Sequence, residues 1–126
     1  MPTPVVLVLE GLTLRGALED TPPARAVLGR LPLALTMNRW GDEYYGGLGA
    51  QLGGFEGPTR EVLEVGDLAF WEPGNALCLF FGPTPVSQGD EPRAASAVHR
   101  LGRLRGDWRQ VKDLGPWVSA VLDLDV

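Results

Sequence analysis

Two apolar runs separated by a short turn dominate the middle of the chain. Residues 68–71 and 76–81 are apolar at successive as well as alternate positions, and Glu72-Pro73-Gly74-Asn75 lies between them. A strand with this pattern is covered on both faces, whereas a half-exposed strand alternates. Proline presets φ at the second turn position and glycine accepts a positive φ at the third, which predicts a type II turn. Residues 63–87 therefore predict the central hairpin of a β-rich fold.

The rest of the chain shows the periodicities of short strands and short helices. Together with residues 76–81, strands are predicted at residues 5–10, 12–19, 33–40, 59–65, 67–71, 97–104 and 117–122. Thr21 before Pro22 predicts the start of a helix, because threonine caps the first turn and proline at its first position loses no hydrogen bond. Asp107, with Gln110 three residues later, predicts a second helix over residues 107–114. About eight strands and two short helices predict a mostly β protein, a closed β-barrel capped by helices.

Residues 46–57, GGLGAQLGGFEG, form a glycine-rich segment. Glycine loses much conformational entropy on ordering, and only Leu48, Leu52 and Phe55 offer apolar surface to offset that loss. The segment therefore predicts a mobile loop, and a lid if a binding site lies beside it. It does not predict a phosphate site, since no G-x-G-x-x-G pattern opens a helix and no Lys-Ser/Thr follows a glycine.

The composition agrees with a small β-rich domain. The chain has 126 residues, of which 44% are hydrophobic and 21% charged, close to the average of globular proteins. The 17 glycines and 11 prolines favour many short strands joined by turns. We expect one domain spanning residues 1–126.

The charge excludes an electrostatic nucleic-acid surface. The formal net charge is −5 at pH 7, whereas a phosphate backbone is bound through clustered Lys and Arg. The nearest approach to a basic cluster is Arg100, Arg103, Arg105 and Arg109. We interpret these arginines as a solvated face paired with nearby carboxylates.

The single cysteine, Cys78, excludes an intramolecular disulfide, and its apolar neighbours predict a buried, inert thiol. A catalytic cysteine would need a base, and His99, the only histidine, is linked to it by no local signature. The five apolar residues 5–9 lack a basic leader, so neither a signal peptide nor a membrane span is predicted. We expect a cytoplasmic protein.

Two motifs carry a resemblance to a known family. Trp40-Gly41-Asp42-Glu43 and the string VGDLAFWEPGNALCLFFGPTPVS at residues 65–87 resemble the small prokaryotic cyclophilin-like barrels, a family with a cyclophilin-like domain of unknown function. The resemblance covers nearly the whole chain. It implies a closed β-barrel and says little about chemistry, because one fold hosts many functions.

The same resemblance allows the residues of prolyl isomerases to be sought here. True cyclophilins place an arginine that follows Phe-His, a Gln-x-Phe group, a tryptophan and a histidine around an apolar proline pocket. Leu79-Phe80-Phe81 stands where Gln-Phe-Phe would, so the glutamine is absent and Phe81 alone is left as a pocket floor. Val98 takes the position of the histidine, and His99, one residue on, faces the other side of the strand. The resemblance thus implies isomerase activity that is absent or vestigial.

The polar turn of residues 40–43, beside the glycine-rich segment, is the predicted rim of a ligand site. We assign no catalytic residue and expect ligand contacts from Arg39, Trp40, Asp42, Glu43, Tyr45 and Phe81. Asp42, Glu43 and His99 could gather as a metal or acid-base site, but one histidine among surface carboxylates is more often structural. The aromatic residues Tyr45, Trp71, Phe80 and Phe81 could line a pocket, although large aromatics more often belong to a barrel core. No metal and no cofactor is predicted.

These observations favour a binding protein. We expect it to bind a peptide segment or a small ligand, without nucleic-acid or membrane partners, and a homo-oligomer is left open. One alternative is an active peptidyl-prolyl cis-trans isomerase with a rebuilt site. Another is a structural or accessory subunit of a larger enzyme assembly, because related barrels occur as parts of amidohydrolases.

Overall fold

The computed structural model describes residues 1–126 and contains nine β-strands, two α-helices and one 3-10 turn. The strands are β1 Thr3–Leu9, β2 Leu12–Leu18, β3 Leu33–Arg39, β4 Glu43–Gly47, β5 Arg60–Val62, β6 Asp67–Trp71, β7 Ala76–Phe80, β8 Arg93–Arg105 and β9 Trp117–Leu124. The helices are α1 Pro22–Leu28 and α2 Trp108–Lys112, and the 3-10 turn is Glu72–Gly74.

Eight of the strands close into an antiparallel barrel. Their order is β2-β1-β9-β3-β4-β7-β6-β8, and β8 pairs back onto β2 to complete the ring. β5 lies outside the ring and pairs only with β8. The predicted mostly β fold, a closed barrel of about eight strands with two short helices, is confirmed.

The central hairpin forms as predicted, but its turn differs. β6 and β7 pair in register from Leu68 opposite Leu79 to Trp71 opposite Ala76. The predicted type II turn is wrong, since residues 72–74 form a 3-10 turn and Asn75, with φ of 48°, takes the left-handed conformation. Asparagine tolerates that region better than most residues. Glycine is needed at position 74 instead because the backbone there passes close to Trp71, and a Cβ on Gly74 would lie 2.5 Å from the Trp71 ring.

Every residue of β7 is buried, because each of its faces packs against a different cluster. Inside the barrel, a core of 21 buried residues includes Leu77 and Leu79. On the outer face, a second cluster contains Cys78 and Phe80 together with Leu63, Ala69, Ala94 and Val98. This arrangement confirms the prediction that both faces of the strand are covered.

Both helices begin at the predicted caps. Thr21 Oγ1 accepts a hydrogen bond from Ala24 N at 3.4 Å, and two prolines open α1. Asp107 accepts hydrogen bonds from Arg109 N and Gln110 N, while Gln110 Nε2 donates to Asp107 Oδ2 at 2.9 Å. The helices therefore start where the sequence indicates.

One strand was not predicted, and two strand boundaries depart from the sequence prediction. β4, Glu43–Gly47, was missed and reaches into the glycine-rich segment, while β5 is limited to Arg60–Val62. β8 starts at Arg93, four residues before the predicted strand at residues 97–104, because its first half pairs with β5. That pairing is long-range, and the local sequence contains no signal for it.

The predicted pairing of the arginine face with carboxylates is confirmed for Arg100 and Arg103. Asp67 is fully buried, and its Oδ1 accepts hydrogen bonds from Arg100 Nε and Arg103 Nε at 3.0 Å each. Glu64 also pairs with Arg103.

Neither helix of the structure has the length and apolar character that crossing a membrane requires.

Candidate functional site

An apolar cavity of about 280 Å³ lies on the outer face of the barrel. Its walls come from β4 and the turn before it, from β6 and β7, and from the first half of β8. The lining residues are Trp40, Glu43, Tyr45, Trp71, Cys78, Ala94, Ala95 and Val98. We call this cavity the outer pocket.

Strand alternation explains which residues of β4 reach the outer pocket. Successive side chains of a strand point to opposite faces. Tyr44 points inwards and belongs to the barrel core, where its ring stacks on Phe81 with centroids 5.4 Å apart. Glu43 and Tyr45 therefore point outwards, and Tyr45 lies opposite Cys78 in the β4–β7 ladder.

The first half of β8 supplies the opposite wall of the outer pocket. Arg93 and Val98 pair with β5, which stands outside the barrel ring. The small side chains of Ala94 and Ala95 leave space in front of Cys78. Trp71 is fixed across this space, since its Nε1 donates to Ser96 Oγ at 2.8 Å.

The rim of the outer pocket is a tight turn at residues 40–43. Trp40 N donates to Glu43 O at 2.8 Å, and Glu43 N donates to Trp40 O at 3.2 Å. Gly41 has φ of 60°, and a Cβ there would lie 2.9 Å from Thr84 Cα. Asp42 N also donates to Pro83 O. The turn is thus anchored to the segment that follows β7, which holds Trp40 in place.

Glu43 is the only charged residue of the outer pocket. It is 5% exposed, and desolvation raises its pKa from 4.5 to about 7, while a hydrogen bond from the Cys78 thiol has a smaller, lowering effect. A thiol is a weak donor, and Cys78 Sγ also lies 4.0 Å from the carbonyl oxygen of Ala76. The carboxyl group consequently has little hydrogen bonding from within the protein.

Cys78 is buried, as the sequence predicts. Burial raises the pKa of the thiol well above its usual value, and the neighbouring Glu43 raises it further. A thiol held in its neutral form is a poor nucleophile. Cys78 therefore acts as part of the pocket wall.

A model of the cyclophilin-like family matches residues 3–119. The chain belongs to the cyclophilin-like family. Its fold is also similar to the solution structure of a hypothetical protein from Archaeoglobus fulgidus, with a TM-score of 0.81 and 32% identity over 98% of this chain and 95% of that one. A comparison with curated proteins found no match.

The cyclophilin-like barrel divides the six predicted contact residues into two groups. Trp40, Glu43 and Tyr45 line the outer pocket. Arg39, Asp42 and Phe81 do not line it. The structure brings Trp40, Glu43 and Tyr45 together. That any of the six residues contacts a ligand stays a prediction.

Arg39 joins the barrel to the end of α2. Its Nη1 donates to the carbonyl oxygens of Lys112 and Leu114, and its Nη2 donates to Asp42 Oδ1 at 2.9 Å. The guanidinium also lies over the Phe81 ring, 5.2 Å from its centroid. These contacts occupy Arg39 in connecting two elements of the cyclophilin-like domain.

His99 lies on the other side of its strand from Val98, as predicted. Val98 belongs to the outer cluster, whereas the His99 ring stacks on Phe70 with centroids 6.5 Å apart. His99 lines a separate cavity beside the start of α1. Asp42, Glu43 and His99 therefore do not gather, and no cluster of three His, Cys, Asp or Glu residues could hold a metal ion.

The glycine-rich segment begins in β4, a strand that forms part of the outer pocket wall, and its end, Glu56 and Gly57, lines the cavity that contains His99. A ligand site beside this segment stays a prediction. No residue of 46–57 lines the outer pocket. Leu48 is buried in the barrel core, and Leu52 and Phe55 pack against that core. The three apolar residues singled out from the sequence thus attach the segment to the barrel interior.

Sequence reasoning identified half of the outer pocket. Trp71 was weighed as a pocket aromatic, and Cys78 and Val98 were named for other reasons. Ala94 and Ala95 were missed, because they precede the predicted strand at residues 97–104. The apolar character of both faces of β7 predicted a covered outer face, but it did not indicate which residues cover it.

Proposed function

We propose that the protein binds a small ligand or a short peptide segment in the outer pocket, and that its prolyl isomerase activity is absent or vestigial. The observation that carries the proposal is an apolar cavity containing one buried carboxyl group with little internal hydrogen bonding. Ligand sites combine such apolar walls with a few well-placed polar groups. We keep the cytoplasm as the proposed location, which the single, unpaired cysteine fits.

The volume of the outer pocket limits what it can hold. Ligand pockets typically enclose roughly 300–1,000 Å³, and the outer pocket, at about 280 Å³, falls just below that range. This volume suits one side chain of a peptide, or a molecule of similar size. A cofactor as large as a dinucleotide would not fit within it.

The positions that resemble the isomerase site support a loss of that chemistry. Leu79 and Phe81 are both buried in the barrel core, and neither lines the outer pocket. Arg39, the arginine among the predicted contact residues, is bound to backbone carbonyls and to Asp42. In this arrangement its guanidinium is committed to internal acceptors and is a poor candidate to stabilise a twisted imide.

One NMR experiment tests both parts of the proposal. The protein labelled with ¹⁵N is titrated with a library of small fragments and with Xaa-Pro peptides, and exchange spectroscopy on the peptide signals reports cis/trans interconversion. We expect shifts at Tyr45, Trp71 and Val98, and peptide exchange that stays at the uncatalysed rate, which corresponds to tens of seconds or longer.

Two alanines on the same strand provide a matched control. Ala95 and Ala97 are both exposed on β8, but only Ala95 lines the outer pocket. Ala95→Leu should reduce fragment binding, whereas Ala97→Leu should leave it unchanged. Binding that both variants retain would place the site elsewhere. Exchange as fast as that of an authentic cyclophilin, lost in Arg39→Lys, would instead establish a working isomerase.

A further inference from the structure

The outer pocket combines aromatic side chains with a single acidic group. Trp40, Tyr45 and Trp71 come from three different places in the chain and share the cavity with Glu43. No Lys or Arg lines the cavity. Aromatic rings present a negative face, which attracts cations and favours quaternary ammonium groups in particular.

We propose that the outer pocket binds an alkylammonium group, with the aromatic rings of Trp40, Tyr45 and Trp71 around the cation and the Glu43 carboxylate as its counter-charge. This inference rests on the proposed function and specifies its ligand class. The ammonium group could belong to a free amine or to a lysine side chain of a peptide. Both present the same chemistry to the pocket.

The alternative is a neutral ligand that accepts a hydrogen bond from protonated Glu43. Such a ligand would leave the aromatic walls with only apolar contacts. A cation would be attracted by the negative faces of the aromatic rings. It would also provide the buried carboxylate with the partner it lacks, since an unpaired buried charge is costly. The net charge of −5 further favours the approach of cations over anions.

The walls of the pocket are held in place before any ligand binds. Trp71 Nε1 is hydrogen-bonded to Ser96 Oγ at 2.8 Å, and the reciprocal backbone hydrogen bonds of residues 40–43 fix the turn that carries Trp40. Rigid walls reduce the entropy lost on binding. A small cation could therefore bind measurably despite its few atoms.

The protonation of Glu43 should couple to cation binding. The titratable groups that share the cavity with Glu43 are the Cys78 thiol on β7 and the Tyr45 phenol on β4, while β6 and β8 present only Trp71, Ala94, Ala95 and Val98. Because the pKa of Glu43 is about 7 in the folded protein, a cation that selects its ionised form should bind about tenfold more tightly at pH 8 than at pH 6.

The test compares choline with 3,3-dimethylbutan-1-ol, a neutral molecule of the same shape. Both are titrated into the ¹⁵N-labelled protein at pH 6 and pH 8. We expect choline to bind about tenfold more tightly than the neutral molecule at pH 8, and only choline to gain affinity with pH. In Glu43→Gln, the pH dependence should be lost and the preference for choline should fall, because only the aromatic rings then favour the cation.

A second arm distinguishes the two sources of the ammonium group. A short peptide with a central trimethyllysine that binds more tightly than choline would assign lysine side chains, whereas equal affinities would assign free amines.

Equal binding of choline and the neutral molecule would overturn the ammonium inference but leave the outer pocket as a binding site. If neither probe binds while other fragments do, the inference is also overturned and the proposed function stands. If nothing in the fragment library binds, both fail.

Discussion

At the scale of single residues, strand alternation decides the role of each member of β4. Tyr44 and Glu43 are adjacent, yet Tyr44 stacks on Phe81 inside the barrel and Glu43 lies in the outer pocket. Asp42, one residue earlier, pairs with Arg39 in the turn that leads into the strand. Several of the candidate contact residues chosen from the sequence are therefore neighbours along the chain, but in the fold they lie in different places.

Glu43 should make the stability of the protein depend on pH. Its pKa is about 7 in the folded state, against 4.5 for the free group, so between these values the folded protein binds more protons than the unfolded chain. The free energy of unfolding should then fall as the pH rises from about 4.5 to about 7, and change no further from this source above that pH. The difference between the two pKa values corresponds to a loss of at most about 3 kcal/mol.

Urea unfolding of Glu43→Gln and wild-type protein at pH 5 and pH 8 measures this effect. Glutamine cannot ionise, so the variant should gain stability relative to the wild type as the pH rises. Glu61→Gln removes an exposed carboxylate on β5 and serves as the control, with a pH profile that follows the wild type. Parallel profiles for all three proteins would show that Glu43 is ionised in the folded state without cost.

At the scale of elements, local patterns were sufficient for most strands and both helices. The apolar run at residues 76–81 and the caps Thr21 and Asp107 each predicted an element that the structure contains. The start of β8 was not predictable in this way, because residues 93–96 have a weak strand preference and become a strand only through pairing with β5. Ala94 and Ala95, two of the eight lining residues of the outer pocket, were missed for the same reason.

The turn at residues 72–75 shows how one side chain can organise a distant segment. Asn75 Oδ1 accepts a hydrogen bond from Leu52 N at 3.0 Å, and Asn75 Nδ2 donates to the carbonyl oxygens of Gly49 and Ala50 at 3.1 Å. The type II turn expected from Pro73-Gly74 left no such role for Asn75. The mobility expected from the glycine content of residues 46–57 stays a prediction. The contacts with Asn75 should restrain the segment at Gly49, Ala50 and Leu52.

Removing the Asn75 side chain should loosen the glycine-rich segment. Asn75→Gly keeps the left-handed conformation accessible but deletes the three side-chain hydrogen bonds. At about 1 kcal/mol for each bond, we expect amide exchange at Leu52 to become about ten- to a hundredfold faster, while exchange at Leu77 and Leu79 stays unchanged. Gln51→Ala is the control, because no hydrogen bond of that exposed side chain would be lost. Unchanged exchange at Leu52 in Asn75→Gly would mean that core packing and the remaining hydrogen bonds hold the segment, among them those from Arg30 to the carbonyl oxygens of Ala50 and Gln51 and from Phe55 N to Glu72.

At the scale of the whole molecule, the barrel closes where β2 meets β8. Leu18 lies opposite Gly102, and Gly16 lies opposite Leu104. A Cβ on Gly102 would lie 2.1 Å from Ala17 O, and one on Gly16 would lie 1.9 Å from Arg103 O. The sequence predicted a closed barrel from the number of its strands, but the requirement for these two glycines depends on a contact between residues more than eighty positions apart.

Substituting the closure glycines should therefore destabilise the entire fold. In Gly102→Ala the new methyl group meets backbone atoms of β2, and backbone cannot move aside as a flexible side chain can. We expect a loss of about 2–4 kcal/mol in the free energy of unfolding, measured by urea denaturation, and a loss of similar size for Gly16→Ala. Gly47→Ala is the matched control, since that strand glycine has open space around the added Cβ and should change stability by no more than about 0.5 kcal/mol. If Gly102→Ala proved as stable as Gly47→Ala, the two strands would have to separate at this point without cost, and the closure of the barrel would depend on the remaining ladders instead.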